Sequence, residues 1–112
     1  MKRAFSLREG SDFQQVWENG KSWSHYLMIL RARTNGMDLS RFGFVAGKKI
    51  GKAVRRNRTK RLMREAMRHR LGKIEPGWDI ILIARREVER ATFQQVDAAV
   101  ENLLQRAHLI KQ

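Results

Sequence analysis

Apolar positions along this chain fall into blocks whose spacing changes from one block to the next, and each change marks a different element. From Asp12 to Glu18, Phe13, Val16 and Trp17 recur at helical spacing, with Ser11 or Asp12 available as a cap and Asn19-Gly20 as a stop. Tyr26 to Ala32 is an apolar run of strand length, and Thr34-Asn35-Gly36 supplies a turn after it. Leu39 to Ala46 then reads as the hairpin partner, with Gly43 marking a bulge or a close backbone approach. Past Gly51 the period becomes helical. Thr59, Leu62, Met63, Ala66 and Met67 share one arc, while Asn57, Arg58, Lys60, Arg61, Arg64 and Arg68 share the other. Gly72, Pro76 and Gly77 stop this helix, and Trp78 to Ala84 follows as a run expected of a central strand buried on both faces. Thr92 to Ala107 reads as an amphipathic helix capped by Thr92 and burying Phe93, Val96, Ala99, Val100, Leu103 and Leu104.

The resulting order is α-β-β-α-β-α. Its central strand-helix-strand unit predicts that the last strand runs parallel to one strand of the hairpin in a mixed sheet, with helices covering one face of an α+β sandwich. A length of 112 residues suits one domain over residues 1–112, whose core needs neither disulfide nor metal. The absence of cysteine excludes disulfides, thiolate metal sites and a cysteine nucleophile, and suits a reducing cytoplasm. The start, Met1 to Arg8, is followed by charge, and no apolar run approaches the roughly eighteen residues a membrane span needs. Neither a signal peptide nor a membrane span is expected.

Charge changes the picture most. The formal net charge is +13, and between Arg41 and Arg70 stand twelve of the 24 Lys and Arg residues against a single acid, Glu65. The rest of the chain is close to neutral, so the charge is a local feature that repels itself on folding and calls for a polyanionic partner. Nucleic acid leads, with an anionic membrane second. The segment from Lys48 to Arg70 is the expected contact element. Arginine predominates in Arg55-Arg56-Asn57-Arg58-Thr59-Lys60-Arg61, and its planar fork can hold phosphate oxygens in pairs. Glu65 lies within helical reach of both Arg61 and Arg68 as an ion-pair partner.

Several other chemistries fail on spacing. Gly47-Lys48-Lys49-Ile50-Gly51-Lys52-Ala53 is one residue short of a nucleotide-binding loop and has Ala53 where a magnesium-ligating hydroxyl is needed, although its glycines and helix start would still favour a backbone phosphate. Zipper heptads are missing after the basic helix, and its apolar arc is only large enough for a core, which disfavours a membrane-surface helix. His25, His69 and His108 lack ligand spacing, and no nucleophile-base pair or paired carboxylates stand out, so no catalytic residue is assigned. Phe13 and Trp17 have two readings, as core residues or as a stacking platform for unpaired bases.

The stretch Lys48-Lys49-Ile50-Gly51-Lys52-Ala53-Val54-Arg55-Arg56-Asn57-Arg58-Thr59-Lys60-Arg61-Leu62-Met63-Arg64-Glu65 closely resembles the signature of the bacterial ribonuclease P protein subunit. Asp12-Phe13-Gln14-Gln15-Val16-Trp17, Phe42-Gly43-Phe44-Val45 and Asp79-Ile80-Ile81-Leu82-Ile83-Ala84-Arg85 extend the resemblance over nearly the whole chain. It implies an α-β-β-β-α-β-α two-layer sandwich with a mixed sheet and a left-handed crossover. It also implies a subunit that supports a catalytic RNA, which hydrolyses a phosphodiester with Mg2+ and removes the 5′ leader of precursor transfer RNA. One protein per RNA and a cytoplasmic location are expected, with no protein-bound cofactor. By resemblance, Lys48, Lys49, Lys52, Arg55, Arg56, Asn57, Arg58, Lys60, Arg61, Arg64 and Arg68 bind RNA, and a leader cleft maps to Phe13, Trp17, Arg31 and Val45. Trp17 stands where the family often has Phe, Lys52 where Asn is common, and Arg31 where relatives often carry an aromatic residue. The competing readings are a ribosome-associated or architectural RNA-binding protein and a DNA binder, because phosphate attraction serves all of them.

Overall fold

The structure, a computed structural model, describes residues 6, 7 and 10–111; most of the charged start lies outside them. Helix α1 (Ser11–Asn19) is followed by strands β1 (Lys21–Ser24), β2 (Met28–Thr34) and β3 (Arg41–Val45), helix α2 (Ala53–Arg68), strand β4 (Trp78–Ala84) and helix α3 (Phe93–Arg106). The chain therefore has the α-β-β-β-α-β-α order and a four-stranded mixed sheet, ordered β1-β2-β4-β3.

The central position expected of Trp78–Ala84 holds, and β4 runs parallel to β3, as its helical connection requires. The expected hairpin between the second and third strands does not form. β4 enters between them, pairing antiparallel with β2 and parallel with β3. Pairing of strands adjacent in sequence is only a tendency. Here the most apolar strand takes the position where both edges and both faces are covered. β1 has one large apolar residue, Trp23, and pairs with β2 at the sheet edge.

Alternation along β4 divides the molecule. Ile80 and Leu82 face a core built with Leu30, Phe42, Met63, Met67, Val96, Val100, Leu103 and Leu104, under α2 and α3. Ile81 joins Leu7 and Val16 in a smaller cluster on the opposite face, with Phe13, Val45 and Ile83 packed against it. Two helices thus cover one face, as expected, while α1 lies across the other. The apolar arc of α2 goes inward as its spacing predicts, with Thr59, Met63, Ala66 and Met67 buried.

Three local expectations need correction. The start of α1 is capped by neither Ser11 nor Asp12; Gly10 takes the cap position at φ 145° and no side chain bonds there. Phe93 is exposed, because it is the first residue of α3 and precedes the turn that meets the core; Thr92 and Gln95 form the capping box. Tyr26 lies outside β2 and is 72% exposed. Gly43 is a close approach within β3, since a Cβ there would stand 3.1 Å from the Leu7 carbonyl oxygen and 3.3 Å from the Phe13 ring.

Candidate nucleic-acid interface

The sheet register sets out the α1 face in rows. Arg33, Asp79 and Arg41 form one row, Arg31, Ile81 and Gly43 the next, and Ile29, Ile83 and Val45 the last. α1 rests on the middle row. Phe13 sits above Gly43, and Arg31 clamps the end of the helix by donating to the carbonyls of Val16 (3.3 Å) and Gly20 (3.0 Å) and to the Ser22 hydroxyl (2.6 Å). The helix stops before the last row, so Ile29, Ile83 and Val45 floor an open cleft of about 860 Å³. Trp17 forms one wall and Gly47 to Ile50 another.

Phe13 and Trp17 divide the two readings between them. Their rings stack with centroids 6.1 Å apart at 16°, but Phe13 is half-buried in the smaller cluster while Trp17 is 42% exposed and lines the cleft. Val45 also lines it; Arg31 does not, since its guanidinium is engaged at the end of α1. Ile29, Ile83, Arg85 and Arg86, which the sequence reading did not single out, also line this cavity. Alternation from Leu30 and Leu82 already put Ile29 and Ile83 on the opposite face, but where α1 ends its cover was not legible.

The cleft opens onto the start of α2. Lys48–Ile50 makes one 3-10 turn, Gly51 follows at φ 116°, and Lys52 occupies the cap position with no side-chain bond. The first turn of α2 contains no acid, so its free N–H groups and the positive end of the helix dipole meet Lys48 and Lys49 beside the cleft. Along the outer face of α2, Val54, Asn57, Arg61, Arg64 and Arg68 succeed one another at steps of three and four residues, and all are exposed. Arg58 is exposed beside them, and the Arg64 guanidinium lies 5.5 Å from the Phe44 ring centroid.

Ion pairing separates available charges from occupied ones. Arg55 is paired with Glu89, and Arg68 with Glu65 at 3.0 Å, which chooses between the two partners its spacing allowed. Arg70, counted with the contact segment in the sequence reading, is buried. It donates to Asp97 (2.6 Å), Glu101 (2.8 Å) and the Ala66 carbonyl (2.7 Å), tying α2 to α3. Burial works against the Arg70 charge, but its hydrogen bonds to Asp97 and Glu101 prevail and raise its pKa; the same bonds hold both carboxyls below their ordinary values. Arg41 is likewise occupied by Asp79 at 2.7 Å. Lys48, Lys49, Lys52, Arg56, Arg58, Lys60, Arg61 and Arg64 have no acidic partner among the described residues. The Nε of Arg56 is shielded from solvent with no hydrogen-bond acceptor among them.

Residues 1–108 match the family model described as Ribonuclease P. The chain belongs to the ribonuclease P protein family. It is 40% identical over 108 residues to the ribonuclease P protein component of Clostridioides difficile strain 630, covering 96% of this chain and 95% of that one. Among solved structures, the RNase P protein from Thermotoga maritima superimposes with a TM-score of 0.82 at 40% identity, covering 90% of this chain and 96% of that one. The Staphylococcus aureus RNase P protein gives 0.88 at 30% identity, covering 97% and 100%. Membership in the ribonuclease P family places the chain in transfer RNA processing, in association with the ribonuclease P RNA. Among the described residues no helix is long and apolar enough to cross a membrane.

Proposed function

We propose that the outer face of α2 docks on the catalytic RNA while the cleft beside α1 holds the 5′ leader of precursor transfer RNA. The observation that carries this reading is the cleft itself. It combines an exposed Trp17, an aliphatic floor and a positive helix start, which is what a single strand needs: a surface for bases beside cations for its backbone. The α2 cations that have no acidic partner among the described residues supply the sequence-independent attraction to phosphates.

In this division of labour the protein binds and orients, and the RNA hydrolyses the phosphodiester. The Mg2+ expected for that reaction serves the RNA-catalysed step. One protein per RNA, working in the cytoplasm, completes the reading. A strand seated against Trp17 and passing Lys48 and Lys49 is led toward the start of α2. The same protein thereby contacts substrate and catalytic RNA at adjoining surfaces.

Stacking is worth roughly 1–3 kcal/mol per base, so one stacked base gives about a tenfold preference for precursor over mature transfer RNA. Holoenzyme reconstituted with wild type, Trp17→Ala or Phe13→Ala, each checked for folding by circular dichroism, is titrated with substrates that carry or lack a leader. Trp17→Ala is expected to lose the preference; Phe13→Ala is expected to weaken it by loosening α1. Full discrimination in a folded Trp17→Ala holoenzyme overturns the cleft assignment and leaves an architectural RNA-binding role.

A further inference from the structure

A second cavity, of about 740 Å³, lies between the β1–β2 turn, the 3-10 turn Arg86–Arg90 and α3. It adjoins the first, for Arg86 and Glu87 line both. Tyr26 lines it at 72% exposure, on a turn that is fastened on each side. His25 N–H donates to the Met28 carbonyl (2.8 Å), Leu27 N–H donates to His25 Nδ1 (3.0 Å), and Arg85 N–H donates to the Leu27 carbonyl (2.9 Å). An aromatic ring displayed on a fixed turn gives a stacking surface without first having to be ordered.

The other groups around this ring suit a nucleotide. Gln95 spends its carbonyl oxygen on the capping box and Asn102 its own on Arg106, which leaves both amide nitrogens without acceptors among the described residues. Each can donate to a base or ribose oxygen. Glu89 is neutralised by Arg55, so Arg86 and Arg90 face only Glu87 in the cavity. A concave recess bounded by one aromatic ring, free amide donors and a small positive excess suits an unstacked base with its phosphate; a duplex has no base face to offer it.

We infer that this cavity is a distal subsite for single-stranded RNA, taking a leader nucleotide upstream of those in the first cleft, with its base on Tyr26 and its phosphate at Arg86 and Arg90. This rests on the reading of the first cleft as the leader site. Arg86, common to both cavities, bridges the backbone between them.

The test uses holoenzyme and precursor transfer RNAs whose leaders are trimmed one nucleotide at a time. Wild-type affinity is expected to rise in two steps as the leader lengthens. Tyr26→Ala removes only the second, a loss of roughly five- to hundredfold on long leaders, and Tyr26→Phe keeps it. Trp17→Ala removes the first. Arg90→Ala, a second variant at an exposed position, flattens the salt dependence by about one unit on long leaders and leaves short ones unchanged. A single step in wild type, or two full steps in Tyr26→Ala, overturns the distal subsite while leaving the first cleft standing. Affinity independent of leader length in wild type overturns both.

Discussion

Replacing Arg70 separates a basic residue that holds the fold from those that meet RNA. Its side chain is 9% exposed and spans α2 and α3 through charged hydrogen bonds to Asp97 and Glu101 and a third to the Ala66 carbonyl. Arg70→Met keeps much of the aliphatic stem and deletes those bonds. Hydrogen bonds to charged groups contribute about 1.5–3 kcal/mol each, and breaking a fully buried pair costs about 3–5 kcal/mol. Asp97 and Glu101 are 28% and 36% exposed, so water recovers part of their solvation. A loss of about 2–4 kcal/mol is expected. For a domain of this size that lowers Tm by about 8–16 °C. Arg58→Ala serves as the contrast: exposed and without an acidic partner among the described residues, it should leave Tm within about 2 °C of wild type. Differential scanning fluorimetry of the free protein and RNA binding at several salt concentrations, below the variants' melting temperatures, are measured together. Arg58→Ala should reduce the slope of log K against log salt by about one unit, and Arg70→Met should leave it unchanged. An Arg70→Met protein that melts with wild type, or that flattens the slope as Arg58→Ala does, refutes the reasoning.

Acid should act through the same cluster. Arg70 lowers the folded pKa values of Asp97 and Glu101, so their contribution is full above the ordinary carboxylate range near pH 4 and is lost as pH falls through the lowered values; Asp97→Asn should shrink the acid-induced fall in Tm, and an unchanged fall counts against the assignment. Sulfate or phosphate, binding the cations around the α2 start that have no acidic partner among the described residues, should raise Tm in low-salt buffer, an effect that chloride at equal ionic strength does not reproduce; equal responses to both would mean simple screening.

Periodicity located every helix and the central strand, because each carries enough apolar residues to declare its buried face. It missed β1, whose Lys21-Ser22-Trp23-Ser24 alternates only once, so that an extra strand before the basic helix was expected from the family resemblance alone. Pairing was misread because nothing local in Met28–Thr34 or Arg41–Val45 announces that a strand more than thirty residues later will separate them. The basic face of α2 was legible down to its inward arc, whereas the occupation of Arg70 depends on acids in α3 that no pattern within α2 reveals. Of the residues that the resemblance assigned to a leader cleft, Trp17 and Val45 line one cavity while Arg31 is engaged by the Val16 and Gly20 carbonyls and the Ser22 hydroxyl, partners that no pattern around Arg31 reveals.

The alternation along β4 sorts substitutions by parity. A change at Ile80 or Leu82 is expected to act on stability, while a change at Ile83 alters the floor of the cleft and leaves the larger core intact. The strand tolerates residue exchange at the cleft but no change of length, since inserting one residue would turn the aliphatic floor into the core and the core side chains toward α1. Natural variation in the shape of the cleft is therefore expected as substitution at Ile29, Val45 and Ile83, and variation in length as insertion in the turn between β2 and β3, where Gly36 already adopts a positive φ on the surface.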